Sequence, residues 1–521
     1  MSTKRPGHFS GEVKKIFSGD IYLVLILFMA VALRFYGIQN KGLWADDAYG
    51  VSFISYPWHD LWGHRYLNRP LYFVFLKLWS GLFGVGEFSL RFPSVVFGAL
   101  SVPALYRLGN MLFDRKTALI AAFLLAVSPF HIYWSQEVRN LSLAVLLFLV
   151  NMCFFFSLIK FKEKKHYLGH AVSGIALFYA HPMGLYLMPL QYLFCLLAFD
   201  KTRLLNDLKH WIILLVAMLP VIFLCLDDHG KNMFVYLHRS LFQIFEAFNF
   251  GGPCQAHGQS GFLIPAGQLV IPRVLDVLFL CFFFLGFKIL LERGRSPDNK
   301  DVRNKTIFLS LWLAIPLLFP FFLLRHTVIA LPAYYLIVAL GFASIRNRGI
   351  FMMVFIIISV PLGFALRNYY HLGSARVSWR EAGPYVHRNI QKNDVVVFVP
   401  TDQMPPFFYY FSDKPDGKVI KYIDRKGYWT GSGFKRQFWV ADNLYVGVDL
   451  FAEKVFINAN PLALFAQQKR SVWLVISPYW FGVDPGVIQT YFEQYYSQDS
   501  RMILDYNGVE VRHYQPKAGV N

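Results

Sequence analysis

The apolar residues of this chain are gathered into blocks of about 17 to 25 residues, separated by basic clusters such as Lys14-Lys15, Arg115-Lys116 and Lys164-Lys165. Repetition of that pattern commits a chain to crossing a bilayer. In hydrocarbon only a segment that satisfies all its own backbone hydrogen bonds survives, which for a single apolar run means a helix. The blocks lie at 21–38, 92–113, 117–134, 141–161, 167–180, 183–199, 211–226, 271–291, 307–324, 327–345 and 350–366. They predict an α-helical polytopic membrane protein with about eleven transmembrane helices. Residues 71–83 are apolar over only about 13 positions, which suits an interfacial or re-entrant helix.

Composition agrees, with 55% hydrophobic and 16% charged residues against roughly 25% charged in ordinary soluble chains. A purely cytosolic protein is thereby excluded. The formal net charge of +19 would suit nucleic acid if the basic residues formed one surface. Within the membrane part they sit instead mostly in short loops, and loops assigned to the inside of the membrane hold about twice as many as the outside loops: Lys4, Arg5, Lys14, Lys15, Arg115, Lys116, Lys160, Lys162, Lys164 and Lys165 among others. The charge is therefore a topology signal, with no nucleic-acid partner and a cytoplasmic amino terminus. Ala30-Val31-Ala32 resembles a small-residue cleavage site, but apolar character continues through Leu33, Phe35, Tyr36 and Ile38 and favours a retained helix. The five cysteines are an odd number and mostly lie within or at the ends of apolar blocks, so neither a disulfide framework nor a CxxC metal site is implied.

An odd number of spans puts everything after 366 on the outer face. The expected division is a transmembrane domain over 1–366 and a small extracytoplasmic α/β domain over 367–521. In the latter, a helix over 379–390 precedes a β-branched run at 394–400. Further strands are expected at 418–423, 471–476 and 502–514, the last with Asn507-Gly508 as a hairpin turn. The first outer loop, 39–91, mixes tryptophans with charges, as helices at the headgroup level do, and is a candidate site wall.

That loop carries Asp46-Asp47 within Gly42-Leu43-Trp44-Ala45-Asp46-Asp47-Ala48-Tyr49. Adjacent acids beside a membrane surface repel each other and the lipid. Either they are solvated or capping acids, or one takes a proton from a nucleophilic hydroxyl while the other holds the site or a cation. Farther along stand Asn68-Arg69-Pro70-Leu71-Tyr72 and Leu90-Arg91-Phe92-Pro93-Ser94. Ser128-Pro129-Phe130-His131 and Gln136-Glu137-Val138-Arg139 follow at the outer end of the third block.

In this order, from about Leu33 to Ile159, these motifs resemble the polyprenyl-phosphate-sugar dependent membrane glycosyltransferases of the GT-C class. The branch is that of protein O-mannosyltransferases, lipid A aminoarabinose transferases and lipopolysaccharide galacturonosyltransferases. Three departures are visible: Asp47 where Glu is more usual, Asn68-Arg69-Pro70 where His-Pro-Pro is common, and Asn140-Leu141 after Arg139 in place of an aromatic. They bear on acceptor and metal more than on reaction type.

The resemblance implies a GT-C-like fold, a polyprenyl-phosphate-linked sugar as donor, and a glycolipid, glycan or protein hydroxyl as acceptor at the outer leaflet. It implies Asp46 as base, with Asp47 and Glu137 as the supporting acids of the catalytic set. A leaving phosphomonoester gains charge and calls for fixed cations; Arg139, Arg69 and Arg325 are the candidates, with Arg91 equally an interfacial anchor. Tyr49, Tyr72 and His181 are expected to line the substrate path. The metal question is open: no cofactor is certain, and an Asp-Asp-Glu cluster suits Mg or Mn as a divalent cation. A bacterial inner membrane is the expected location, with the lipid bilayer itself a partner. The rival reading is a transporter or flippase of a lipid-linked saccharide, which internal repeats and ionisable residues near the midplane would favour.

Overall fold

The computed structural model describes residues 20–40, 42–55, 57–58, 70–199, 208–229, 248, 270–296, 298–318, 324–373, 378–399, 404–411, 434–440, 443–448, 466–476, 485–504 and 509–518. The helices before the sheet are α1 (Ile21–Phe35), α2 (Ala45–Ser55), α3 (Pro70–Phe83), α4 (Glu87–Leu112), α5 (Arg115–Val127), α6 (Pro129–Ser135), α7 (Leu141–Phe161), α8 (Lys164–Ala180), α9 (Leu187–Ala198), α10 (Leu208–His229), α11 (Val270–Gly294), α12 (Lys300–Leu318), α13 (Leu331–Ala343) and α14 (Arg348–Gly373). Two 3-10 turns, Pro182–Tyr186 and Leu324–Ile329, precede α9 and α13. The remainder is α15 (Ser378–Asn389), β1 (Val395–Val399), α16 (Met404–Tyr410), β2 (Phe434–Val440), β3 (Asn443–Val448), β4 (Val472–Ile476), α17 (Pro485–Tyr495), β5 (Tyr496–Leu504) and β6 (Val509–Pro516).

Among the described residues, α4, α7 and the Arg348–Arg367 part of α14 are long and apolar enough to cross a membrane, and α5 with α6 makes a fourth if that bent pair counts as one span. Shorter apolar helices include α1, α3 and α13. Only 11% of the Arg348–Arg367 stretch is buried, and Met352, Met353, Ile356, Ile357, Val360 and Phe364 stand exposed on it. An apolar face of that extent belongs against lipid.

The block read as one span over 117–134 is built of two helices meeting at 59°. Ser128 and Pro129 make the break, although the composition stays apolar through it. The Ser128 side chain accepts from the His131 N–H and caps α6, whose first residue is Pro129. Thr117 is likewise held by the Asp114 side chain at the start of α5.

Beyond α14 a six-stranded mixed sheet has the order β2-β3-β1-β4-β6-β5. β1 runs parallel to β3 and β4, whereas β4 with β6 and β5 with β6 are antiparallel. β1 and β4 read Val-Val-Val-Phe-Val and Val-Trp-Leu-Val-Ile and are buried along their whole length, as central strands covered on both faces are. The expected helix at 379–390 and strands at 394–400 and 471–476 correspond to α15, β1 and β4. The last expected strand, 502–514, is two strands, β5 and β6, paired as a hairpin. The proposed turn at Asn507-Gly508 and the strand at 418–423 lie outside the described residues.

Among the described residues two apolar cores result. One fills the helical bundle. The other joins Leu43, Val51, Tyr72 and Leu90 of the first loop and α4 to Trp379, Phe407, Tyr410, Val396 and Trp473 of the sheet and its helices. The loop carrying the acidic pair is thus packed against the sheet layer as well as the bundle.

Candidate active site

The break between α5 and α6 positions the first part of the site. Pro129 has no N–H, so the Leu125 carbonyl, four residues earlier, has no helical donor. Arg34, fully buried on α1, supplies one: its guanidinium donates to the carbonyls of Leu125 at 3.1 Å and Ala126 at 3.0 Å. It also donates to Ala30 O at 2.9 Å and to His131 Nδ1 at 2.8 Å. Arginine cannot accept, so Nδ1 of His131 is the acceptor and its neutral ring carries the proton on Nε2.

The reverse clamp comes from Gln136, just past α6. Its amide nitrogen donates to the carbonyls of Arg34 at 2.9 Å and Tyr36 at 2.8 Å, and its Oε1 accepts from the Tyr369 hydroxyl at 2.7 Å. The last carbonyls of α5 are therefore capped by a side chain of α1, and those at the end of α1 by a side chain just past α6. Gly98 allows the close approach of α4 to α6: a Cβ there would lie 2.1 Å from Ser135 Oγ. Four residues earlier, Ser94 Oγ donates to the Arg139 carbonyl at 3.1 Å and fixes the segment carrying Glu137 and Arg139.

The second part of the site is the first loop. Gly37 turns the chain after α1 in the left-handed region, with φ of 67°. Arg91, buried on α4, donates to the carbonyls of Ile38 and Gly42, each at 2.9 Å, and reaches Glu87 at 3.2 Å. Its other nitrogen stands 3.8 Å from Asp47 Oδ2. Asp47 is fully buried, and its Oδ1 accepts from the Val138 N–H at 2.9 Å. The loop acid and the segment between Glu137 and Arg139 are thereby joined directly.

Glu137 is fully buried beside Asp47. Burial, followed by the charge and hydrogen bonding of Glu137, pushes the Asp47 carboxyl well above the usual carboxylate range, with Arg91 and Arg139 acting in opposition. Two carboxyls so close in a dry site do not both ionise readily, and they titrate as a pair. Arg139 is half-buried, its guanidinium 5.9 Å from the centre of the Trp44 ring. The buried Tyr72 hydroxyl belongs to the same cluster, within the electrostatic reach of Asp47 and Arg139.

Of the residues expected from the sequence, Asp47, Glu137, Arg139 and Tyr72 come together. His181 lies to one side: it is buried, its Nδ1 accepts from the Met183 N–H at 3.0 Å, and its ring meets His326 edge-on at 5.0 Å. It caps a turn, and is tied to the site through the neighbouring Ala180 carbonyl, which accepts from Asn140 at 2.5 Å. Asp46 and Tyr49 are placed on α2, and Arg325 on the Leu324–Ile329 turn, by backbone alone. Arg69 lies outside the described residues. Arg34, Glu87, Arg380 and Tyr410 carry structural roles that the motifs did not single out; of these, an arginine inside an apolar block was the one visible signal. Asp47 and Glu137 offer the oxygen ligands that Mg or Mn would take, and among the described residues no third acid, histidine or cysteine joins them as a metal-holding group.

Residues 68–225 match the family model described as dolichyl-phosphate-mannose-protein mannosyltransferase. No curated protein sequence matches the chain. In fold it is similar to the crystal structure of ArnT from Cupriavidus metallidurans bound to undecaprenyl phosphate, with TM-score 0.55 and 12% identity over 96% of this chain and 98% of that one. It is also similar to the Archaeoglobus fulgidus oligosaccharyltransferase tethered with an acceptor peptide, with TM-score 0.54 and 14% identity over 97% of this chain and 74% of that one. The archaeal oligosaccharyltransferase AglB from the same organism, in complex with an inhibitory peptide and a dolichol-phosphate, gives TM-score 0.53 at 14% identity, over 97% of this chain and 75% of that one. At such identities the structures speak for the fold alone, and the family match covers the segment that carries Glu137 and Arg139.

Proposed function

We propose that this protein moves a sugar from a polyprenyl-phosphate donor to an acceptor hydroxyl at the outer face of the membrane, inverting the anomeric centre. The observation that carries the reading is the buried Asp47–Glu137 pair facing Arg91 and Arg139 where the first loop meets the broken span. Undecaprenyl phosphate and dolichol-phosphate bound to two of the structures of like fold support the lipid-linked donor, and the acceptor peptide of the third supports transfer to a separate acceptor.

A carboxylate takes the acceptor proton as the new bond to C1 forms, and the bond from C1 to the phosphate oxygen breaks with its electron pair going to the phosphate. Asp46 is the proposed base, Asp47 and Glu137 the supporting acids. Arg139, Arg69 and Arg325 are proposed to meet the leaving phosphate, and Tyr49, Tyr72 and His181 to line the path. A second assignment has a specific observation in its favour: the raised pKa of Asp47 makes it a stronger base than an ordinary carboxylate. A divalent cation, if bound, would be held by these acids and would neutralise phosphate charge.

The wider reading places about eleven membrane passages over 1–366 and an extracytoplasmic α/β domain over 367–521, in a bacterial inner membrane with the amino terminus cytoplasmic. The test is mass spectrometry of envelope glycolipids and glycoproteins from a deletion strain complemented with wild type, Asp46→Asn or Asp47→Asn. Loss of one glycosylated product, restored by wild type alone, is expected. Restoration by both single variants to the wild-type level would sink the reading, and restoration by Asp46→Asn alone would move the base to Asp47. Translocation of donor without any change in glycosylated product would favour a flippase.

A further inference from the structure

The peptide unit between Gly42 and Leu43, three residues before the acidic pair, is held at both ends. Its carbonyl accepts from Arg91 at 2.9 Å, and its N–H donates to the hydroxyl of Tyr410 at 2.7 Å. Tyr410 is at the end of α16, more than three hundred residues away in sequence. The two clamps converge on one carboxylate: Glu87 accepts from Arg91 at 3.2 Å and from Tyr410 at 2.6 Å. Arg380 of α15 completes the group. Its Nε donates to Glu87 at 2.9 Å, a second nitrogen pairs with the other Glu87 oxygen, and that nitrogen also donates to the Gln39 carbonyl at 2.5 Å. Tyr409 ties α16 to the same corner by donating to the Val85 carbonyl at 2.8 Å.

We propose that Tyr410 and Arg380 are positioning residues for glycosyl transfer: the sheet layer is an integral part of the transfer site, setting the place of the Gly42–Leu43 peptide and, through Arg91, of Asp47. This rests on the reading of Asp47 as a site acid. Apolar packing alone would let the loop slide along the α16 surface, whereas hydrogen bonds at both ends of one peptide fix its position and its plane. Glu87 is what couples the layers, because it orients the arginine that touches the loop while being oriented by two residues of the sheet layer. Among the described residues, the other charged or titratable groups acting on Asp47 are Glu137, Arg139 and Tyr72, none of which belongs to the sheet layer.

The test uses the full-length enzyme in detergent, with a lipid extract of the host envelope as the source of polyprenyl-phosphate-linked sugars, and amide hydrogen exchange on the same preparations. Tyr410→Phe removes only the hydroxyl and leaves the ring in its core. The expected result is a fall in kcat of about tenfold to a hundredfold, since misplacement of an angstrom in a site costs that much, with KM nearly unchanged. Faster exchange confined to 42–48 should accompany it, with exchange in the rest of the chain unaltered. Arg380→Ala should do the same and Arg380→Lys should recover part of the loss, which a general loosening of the fold would not reproduce. Wild-type kcat and wild-type loop exchange in both Tyr410→Phe and Arg380→Ala, with Asp47→Asn inactive, would overturn the proposal. If Asp47→Asn is itself fully active, the site reading fails instead, and the exchange at 42–48 still decides whether the clamp holds the loop.

Discussion

Arg34 offers the sharpest test of how the site is built. Replacing it with methionine, Arg34→Met, keeps much of the length and apolar packing of the side chain and removes the guanidinium. Ala30 O keeps its own partner within α1, so the acceptors left without a donor are Leu125 O, Ala126 O and His131 Nδ1. Pro129 guarantees that the first of these has no helical replacement. Each buried acceptor left unmade costs about 1–3 kcal/mol, roughly 3–9 kcal/mol for three. Against this, removing a buried guanidinium recovers several kcal/mol of desolvation. The net expectation is a loss of about 2–5 kcal/mol, together with straightening or loosening of the 59° break. Thermal unfolding in detergent reads the stability, and sugar transfer by the folded fraction reads the displacement of Glu137 and Arg139. Arg34→Lys should fall between, since one ammonium reaches fewer acceptors. A methionine variant as stable and as active as the wild type would refute the argument that the arginine holds the break.

Three more expectations follow from the same geometry. Asp47→Asn should abolish or severely reduce transfer while raising stability at neutral pH by about 1–3 kcal/mol. A carboxyl whose folded pKa is raised contributes fully below its unfolded pKa and loses that contribution as pH rises through the folded value, so the gap in melting temperature should widen toward alkaline pH. Gly98→Ala drives a methyl into Ser135, 2.1 Å from Oγ and 2.6 Å from Cβ, and should cost about 1–3 kcal/mol, with Ser135→Gly in the same chain relieving most of it. Affinity for undecaprenyl phosphate, followed by native mass spectrometry across the range in which Asp47 and Glu137 titrate, with Asp47→Asn as the control for the phosphate's own titration near pH ~6, should weaken as the pair loses its proton; the same pH profile in both proteins would remove the pair from the phosphate's surroundings.

The parts of the fold written locally were legible in the sequence. Apolar runs announced α4, α7 and α14, and β-branched runs announced β1 and β4, because burial on all sides requires a continuous apolar string. The bend at Ser128-Pro129 is not legible in the apolar run over 117–134 because its cause is a missing N–H rather than a polar interruption, and its remedy, Arg34, lies on another helix. The strands β2 and β3 went unread because their charged and polar residues, such as Lys435, Arg436 and Asn443, dilute the strand pattern. In the site, Asp47, Glu137 and Arg139 could be named from motifs, but their meeting through the Val138 N–H could not. Still less legible was the Glu87 corner, whose partners are separated by 293 and 323 positions. Such contacts carry no periodicity; they exist only once the first loop and the sheet layer share a core.

The charges of the Asp47–Glu137 pair and of the two arginines acting on it, Arg91 and Arg139, bear on the proposed reaction. Asp47 and Glu137 with one shared proton bear a single negative charge, and against Arg91 and Arg139 the group is net positive. With the proton lost, it is neutral. If the acceptor proton goes to this pair, the surroundings of the phosphate gain a positive charge in the same step in which the phosphate, losing the sugar, gains a negative one. The two changes offset each other inside a site from which water is excluded, where an uncompensated charge is most expensive. An ordinary solvated carboxylate would relay its proton to water and leave the phosphate to the fixed arginines alone. Burial of Asp47, which looks wasteful as a way to keep an acid ionised, is in this arrangement what couples nucleophile activation to departure of the leaving group.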